Sequence, residues 1–401
     1  MKSHTTAVKR DEPNPARSTF LPFHLPSIAS EEISAVLEVL NSGWLTTGAK
    51  TRAFEEQFGK FVGSPHAVAV NSATAALHLA LVASGVGPGD EVIVPTMTFA
   101  ASAEVVLYLG ARPVLVDCEP DTLNLDPAAI EAALTPRTKS IMPVHFAGHP
   151  CDMDRIQSIA RAHGLTIIED AAHALPARYR GRMVGAIGDL TCFSFYATKT
   201  ITTGEGGMAT TENRAWAEKM RMLSLHGISH DAWKRYSAEG SWYYEIADVG
   251  FKYNLTDLAA SLGIEQLKKC HALAAARRRI AAAYDEGFAD LAEIAVPVCR
   301  SDVEHAWHLY VIQLDLDRLA IDRREFIDAL RQRNIGASVH FMPLHLHPFY
   351  RQKFGYRPAD YPKAAALYER IVSLPIYPKM TDDDIDDVIT AVRSIARHHR
   401  R

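Results

Sequence analysis

From about residue 66 to 211 the chain alternates short β-branched, apolar runs with stretches of helical spacing, and this alternation constrains the fold more than any other feature. The candidate strands read HAVAV, EVIVP, RPVLVD, SIMPVHF, LTIIED and LTCFSF. Several are continuously apolar, as strands covered on both faces must be. Between them, ATAALHLALVASG, FAASAEVVLYLG, DPAAIEAAL and CDMDRIQSIARAHG carry apolar residues at helical spacing, and most close on a glycine suited to a left-handed cap. Strands joined through helices run parallel, so the predicted architecture is α/β: a mostly parallel sheet with helices on both faces.

A helix-rich segment beginning at Asp257, DLAASLGIEQLKKCHALAAARRRIAAAYDEGFADL, breaks the alternation and carries the chain out of this large domain. After it, HLYVIQLDL, the helical DRREFIDALRQRNIG, the strand-like ASVHF and the helix DDDIDDVITAVRSIARHH form a smaller α+β unit. The expected division is a disordered tail over 1–18, a large domain over 19–265 and a small C-terminal domain over 266–401. The tail is polar and proline-containing and lacks the apolar stretch of a secretory signal. No apolar run approaches the roughly 20 residues of a membrane span. With 401 residues, 48% hydrophobic content and a net charge of -4, the chain reads as a soluble protein with no basic excess for nucleic acid, cytoplasmic by default. Cys118, Cys151, Cys192, Cys270 and Cys299 form no CxxC pair and read as core thiols in a reducing compartment.

In open parallel sheets the ligand lies beyond the carboxyl ends of the strands, so the residues just after each strand carry the functional reading. After HAVAV, Ser72 can cap a helix while Ala73 and Thr74 offer small side chains and free amides to an anion. Taken alone, the stretch reads first as a plain, well-capped helix. No GxGxxG follows this strand, which counts against a dinucleotide fold. Phe99, in PTMTFAASAE, is either core or a ring placed to stack on a flat cofactor. Asp170 ends LTIIED; it can cap a following helix, or face a pyridine nitrogen and hold it protonated, with His173 on the same helical side touching the ring. FSFYATK then supplies Ser194 and Lys199. A lone lysine there can snorkel to the surface, or lose its charge on burial and form a Schiff base. An acid, an aromatic, an amine and two anion-suited sites after successive strands favour the second reading of each.

At this point the chain resembles the DegT/DnrJ/EryC1/StrS sugar aminotransferases, from FLPFHLPSI near residue 20 to the last helix. The resemblance rests on GWLTTG, NSATAALH, EDAAHALPA, FSFYATKTITTGEGG, GFKYNLTDLAASLG and HFMPLHLHPFY. It implies the fold-type I, aspartate-aminotransferase-like architecture and pyridoxal 5'-phosphate (PLP) as cofactor. By motif, Lys199 is the lysine that carries the cofactor, Asp170 the partner of its ring nitrogen, His173 the residue at the ring oxygen and Phe99 the stacking aromatic. Ala73, Thr74 and Ser194 match the phosphate site. Asn254, in GFKYNLTD, matches the asparagine that reaches the phosphate of the neighbouring subunit, which implies a homodimer with shared active sites. Two departures are small: Ser72-Ala73-Thr74 stands where many members have SGT, and His173 where many have glutamine.

The implied reaction moves an amino group from L-glutamate, leaving 2-oxoglutarate, to a nucleotide-linked keto sugar. FLPF, SGWLTTGAKT, GFKYNLTD, HAWHLY and the loop HGISHDAWKRYSAEGSWYY look most like the branch that aminates UDP-4-keto-pentose in lipid A arabinose modification. Related UDP-4-keto-6-deoxyhexose enzymes share much of this pattern. A dehydratase on the same fold replaces the lysine with histidine, and a silent cofactor-binding regulator would not need Lys199 and Asp170 together. His340, His345 and His347 lack zinc spacing partners and read as structural or substrate-edge residues, with no metal expected. Glu205, flanked by glycines, reads as a loop-fixing acid.

Overall fold

The computed structural model describes residues 17–228 and 243–401. Residues 1–16 of the predicted tail, and 229–242 within HGISHDAWKRYSAEGSWYY, lie outside the described residues. Helices α1 (Ser30–Ser42) and α2 (Ala49–Val62) lead into the alternation β1 (His66–Val70), α3 (Ala73–Ala83), β2 (Glu91–Pro95), α4 (Ala101–Tyr108), β3 (Arg112–Val116), α5 (Pro127–Ala133), β4 (Thr138–Ile141), α6 (Met153–His163) and β5 (Thr166–Asp170). Two short strands follow, β6 (Arg178–Tyr179) and β7 (Arg182–Met183), then β8 (Leu190–Ser194), β9 (Gly207–Thr211) and α7 (Arg214–Leu223). Among the described residues the main sheet has seven strands in the order β1, β9, β8, β5, β4, β2, β3. Only β9 runs against its neighbours, pairing antiparallel with β1 and with β8.

Alternation along the strands divides their side chains between two cores. Ala67, Ala69, Ile93 and Ile167 pack with Phe54 and Phe58 of α2 and Ile156 of α6. Val68, Val70, Val92 and Val94 pack on the opposite face with Leu77 of α3 and Val105 of α4. Each valine, isoleucine, leucine or phenylalanine among them contributes roughly 1.5–3 kcal/mol on burial, so a polar residue at either set of positions would be costly. This is why the strands read as continuous apolar runs.

The second half begins with α8 (Asp257–Phe288), 32 residues and therefore about 48 Å long. Its N-terminal half gives Ala260, Ile264 and Leu267 to the α2 side of the sheet. Its C-terminal half gives Ile280, Tyr284 and Phe288 to a separate core. That core is completed by β10 (Ile294–Ala295), β12 (Tyr310–Leu314), α9 (Arg323–Gln332), β13 (Ile371–Leu374) and α12 (Asp382–His398), with α10 (Pro348–Phe354) and α11 (Pro362–Tyr368) between α9 and β13. A short strand, β11 (Val303–Glu304), pairs back onto β6. Asp257 explains part of the GWLTTGAKT and NLTD pattern. Gly48 has no side chain to cap α2, and the Asp257 carboxylate accepts instead from the amides of Gly48, Lys50 and Thr51 at 2.8–3.1 Å.

Several local expectations are corrected. SIMPVHF is not one strand: β4 ends at Ile141, Pro143 has no N–H for a ladder, and Val144 returns only as a bridge to Asp170. GMATT, unremarkable in sequence, is β9. ASVHF makes a single bridge, Ser338 to Ser373. No helix follows β5, so Asp170 and His173 are not helical neighbours. Cys299 is exposed, whereas the other four thiols are buried, and all five are free. No helix of the described residues is long and apolar enough to cross a membrane.

Candidate active site

A cavity of ≈ 430 Å³ opens at the carboxyl ends of β1, β5 and β8, and Lys199, Asp170, His173, Phe99, Ser194, Ala73 and Thr74 all line it. At its β1 side, Ser72 caps α3, its hydroxyl accepting from the Ala75 amide at 3.1 Å. The Ala73 and Thr74 amides, first in the helix, have no intrahelical acceptor and carry the positive end of its dipole. Gly207 of β9 lies against this turn so closely that a Cβ would sit 2.5 Å from the Ser72 carbonyl carbon and oxygen and 2.7 Å from the Ala73 nitrogen. In the sheet, Gly207 pairs with Val70 on one side and Ser194 on the other. The glycine thus brings the α3 turn and the Ser194 hydroxyl to one end of the sheet.

Asp170 forms the floor. Its carboxylate accepts from the Ser102 hydroxyl at 2.7 Å and from the Ala172 amide at 3.1 Å, and it has no cation at bonding distance among the described residues. Burial raises its pKa, opposed by these donors and by the charge of Lys199. Lys199 follows β8 in a loop held by backbone contacts: its own amide donates to the Tyr196 carbonyl, Thr202 and Thr203 both bond the Phe195 carbonyl, and the Thr203 hydroxyl donates to the Glu205 carbonyl. Glu205 therefore fixes the loop through its backbone, and its side chain lies on the cavity wall. The Lys199 amine faces the cavity and is otherwise enclosed, so burial lowers its pKa to about 8, with Asp170 pulling it up and Arg277 pushing it down.

The opposite wall comes from distant sequence. The His308 Nε2 lies 3.4 Å from the Lys199 Nζ. Its ring is 4.3 Å from that of His173, which in turn stacks on Phe341 at 5.9 Å. Burial holds both histidines well below their ordinary pKa, and among the described residues each keeps an Nδ1 without a partner. Phe99 is 62% exposed, and its ring meets Phe341 at 5.9 Å. From the N-terminal segment, Phe23 stacks on His340, and the His24 Nε2 meets the Ala197 carbonyl at 3.1 Å. His308, Phe341, Phe23 and His24 are absent from the sequence-derived site. HAWHLY, HFMPLHLH and FLPFHLPSI contain them, but no spacing rule says which ring of such a segment turns inward.

Of the three histidines weighed as ligands, only His340 reaches this cavity, and it bonds the Ser373 hydroxyl through Nδ1 at 2.9 Å. His345 is buried against the Thr96 hydroxyl, and His347 donates to the Met342 carbonyl. Among the described residues no group of three or more potential metal ligands occurs. Asn254 does not line this cavity. Its side chain donates to the Thr47 hydroxyl at 2.7 Å, accepts from the Lys252 amine at 2.6 Å and lines a second cavity of ≈ 510 Å³.

The first cavity therefore offers free helix-start amides beside a hydroxyl, a buried carboxylate lacking a cation, an amine poised near neutrality and rings open to the cavity. A phosphorylated pyridine aldehyde asks for this set. The model of the DegT/DnrJ/EryC1/StrS aminotransferase family matches residues 26–393. The chain belongs to this family. It is a pyridoxal-phosphate-dependent sugar aminotransferase, with the fold of its solved relatives. It is 53% identical over 382 residues to the spore coat polysaccharide biosynthesis protein SpsC of Bacillus subtilis, covering 95% of this chain and 98% of that protein. The PLP-form of the putative sugar aminotransferase Spr1654 from Streptococcus pneumoniae superposes with a TM-score of 0.88 at 37% identity, covering 94% of this chain and 99% of that one. Helicobacter pylori PseC, an aminotransferase involved in pseudoaminic acid biosynthesis, gives a TM-score of 0.87 at 30% identity, covering 95% and 100%.

Proposed function

We propose that this sugar aminotransferase transfers the amino group of L-glutamate to the keto carbon of a nucleotide-linked sugar, C4 of a UDP-4-keto sugar, for polysaccharide or lipopolysaccharide biosynthesis. The observation that carries the reading is the single cavity in which the Lys199 amine meets a buried carboxylate, Asp170, beside the open start of α3. The names of SpsC, a spore coat polysaccharide biosynthesis protein, and PseC, an aminotransferase of pseudoaminic acid biosynthesis, support a biosynthetic role. The resemblance of the GWLTTGAKT, GFKYNLTD and HAWHLY segments to enzymes that aminate UDP-4-keto sugars supports the UDP-4-keto class.

On this reading the amides of Ala73 and Thr74 and the hydroxyl of Ser194 would hold the cofactor's phosphate, the Asp170 carboxylate would accept a charge-assisted hydrogen bond from its ring nitrogen and keep that nitrogen protonated, Phe99 would cover one ring face and His173 would stand at the ring oxygen. When bound, PLP supplies an electron-withdrawing ring that stabilises negative charge at the carbon losing its proton. Lys199 takes the proton from the donor's Cα and, in the second half-reaction, delivers one to the sugar carbon that receives nitrogen. Its lowered pKa leaves a useful fraction of free amine near neutral pH. The wall of Phe341, His308 and His173 keeps bulk water from the exchanging proton.

Residues 19–265 would form the large cofactor-binding domain and 266–401 the small one. Two copies would share their sites, with Asn254 serving the partner's phosphate; that Asn254 lines a cavity other than that of Lys199 supports this. Free cysteines suit a cytoplasmic enzyme. The test is a glutamate-dependent assay across UDP-, dTDP- and GDP-linked keto sugars, read as 2-oxoglutarate and aminated sugar. UDP-4-keto sugars should be the best acceptors and Lys199→Ala should abolish turnover. Preference for another nucleotide, or for a 3-keto sugar, would overturn the substrate assignment.

A further inference from the structure

The run AAARRRIAAAY in α8 places three arginines in succession, and the helix treats them differently. Arg279 ion-pairs with Asp382 at the surface and Arg278 is exposed, whereas Arg277 is 0% exposed. Among the described residues Arg277 has no carboxylate partner. One nitrogen, Nη1, donates to three carbonyls, those of Trp307 (3.3 Å), His308 (3.2 Å) and Ile376 (2.7 Å). Among the described residues its Nε and Nη2 have no hydrogen-bond partner. A buried cation without a counterion is among the most costly groups a fold can hold, and a leucine or methionine would fill the same volume without that cost.

What Arg277 touches gives the reason. His308, whose carbonyl it holds, carries the imidazole 3.4 Å from the Lys199 amine, and Ile376 lies on the wall of the same cavity. We propose that Arg277 is a positioning residue of the active site: it holds the His308 and Ile376 segments against Lys199 and sets a permanent positive charge behind the reacting amine. The inference rests on the assignment of Lys199 as that amine. The other groups facing Lys199 cannot supply this charge. Asp170 favours the protonated amine, and Glu205 on the same wall is an acid. The imidazoles of His24, His173, His308 and His340 all have their pKa values lowered by burial.

The experiment measures the rate at which cofactor-free protein captures PLP, followed by its visible band, across a pH series. Wild type, Arg277→Gln and Arg277→Lys are compared, with Lys199→Ala as the control that ties the band to Lys199. Gln keeps N–H donors for the carbonyls and removes the charge; Lys keeps the charge. Circular dichroism checks that each variant is folded. Wild type should show a midpoint at about pH 8. Arg277→Gln should raise that midpoint by about one pH unit, which is about tenfold slower capture at pH 7. Arg277→Lys should stay near wild type in midpoint. A folded Gln variant with the wild-type midpoint, or a Lys variant displaced as far as Gln, overturns the proposal; should Gln not fold, Arg277→Met, which fills the volume without the charge, takes its place with the same two readings. A wild-type band that survives Lys199→Ala instead overturns the assignment of Lys199, a separate outcome.

Discussion

Replacing Gly207 with alanine tests the phosphate site through a group that never touches the cofactor. The new Cβ would lie 2.5 Å from the Ser72 carbonyl and needs roughly 3.4 Å, so one side must retreat by about 0.9 Å. β9 cannot be that side without disturbing its pairing to Val70 and to Ser194 at once. The α3 turn yields instead, and with it the Ala73 and Thr74 amides. A hydrogen bond stretched by that much is lost, and one to a charged oxygen is worth about 1.5–3 kcal/mol. The expected result is PLP affinity weaker by about 10- to 150-fold, with a stability cost of about 1–3 kcal/mol from overpacking. Titrating cofactor-free protein with PLP, beside a denaturant melt, reads both. A folded variant that binds PLP as tightly as wild type would refute the assignment of the α3 turn as the phosphate cradle.

Asp170→Asn should keep the fold, since the Ala172 amide can still donate and the Ser102 hydroxyl can turn to accept, yet lose about 10²- to 10³-fold in turnover; unchanged turnover would show that no charge is needed there. Without cofactor the same variant should melt higher at neutral pH. Burial raises the folded pKa of Asp170 above its unfolded value, so the ionised form is a penalty above that raised pKa, and the advantage should fade as pH falls through it. A melt difference that grows on acidification contradicts this sign. Mixing Lys199→Ala with Asn254→Ala chains should restore about a quarter of the sites, one intact site per hybrid dimer, whereas no recovery despite proven subunit exchange places both residues in one chain's site.

Much of this was legible because parallel strands send their carboxyl ends to one edge. Asp170, Ser194 and the Ser72 turn could be picked from strand ends alone, and Lys199 by its position one loop beyond β8. The far wall was not legible. His308 lies 109 residues from Lys199 in sequence and reaches it through pairings that no local pattern shows, the amides of Ala306 and His308 donating to the carbonyls of Gly148 and Ala147. Nor does any periodicity mark β9, whose Gly207 is chosen for what it lacks. In RRR, helical spacing allows one arginine to face inward, but a charge without a partner is the reading sequence rules exclude first.

The length of α8 has a consequence for how this chain can change over evolutionary time. Loops of an enzyme accept inserted or deleted residues readily, but a helix advances 1.5 Å and turns about 100° with each residue. α8 enters one core at Ala260 and another at Ile280. One residue added between them would swing the whole downstream body around its axis, carrying His308, His340 and Ile376 away from Lys199. Substrate preference in this chain can therefore drift through the segments that flank the cavity, while the spacing between Ala260 and Arg277 stays fixed as a ruler set by geometry.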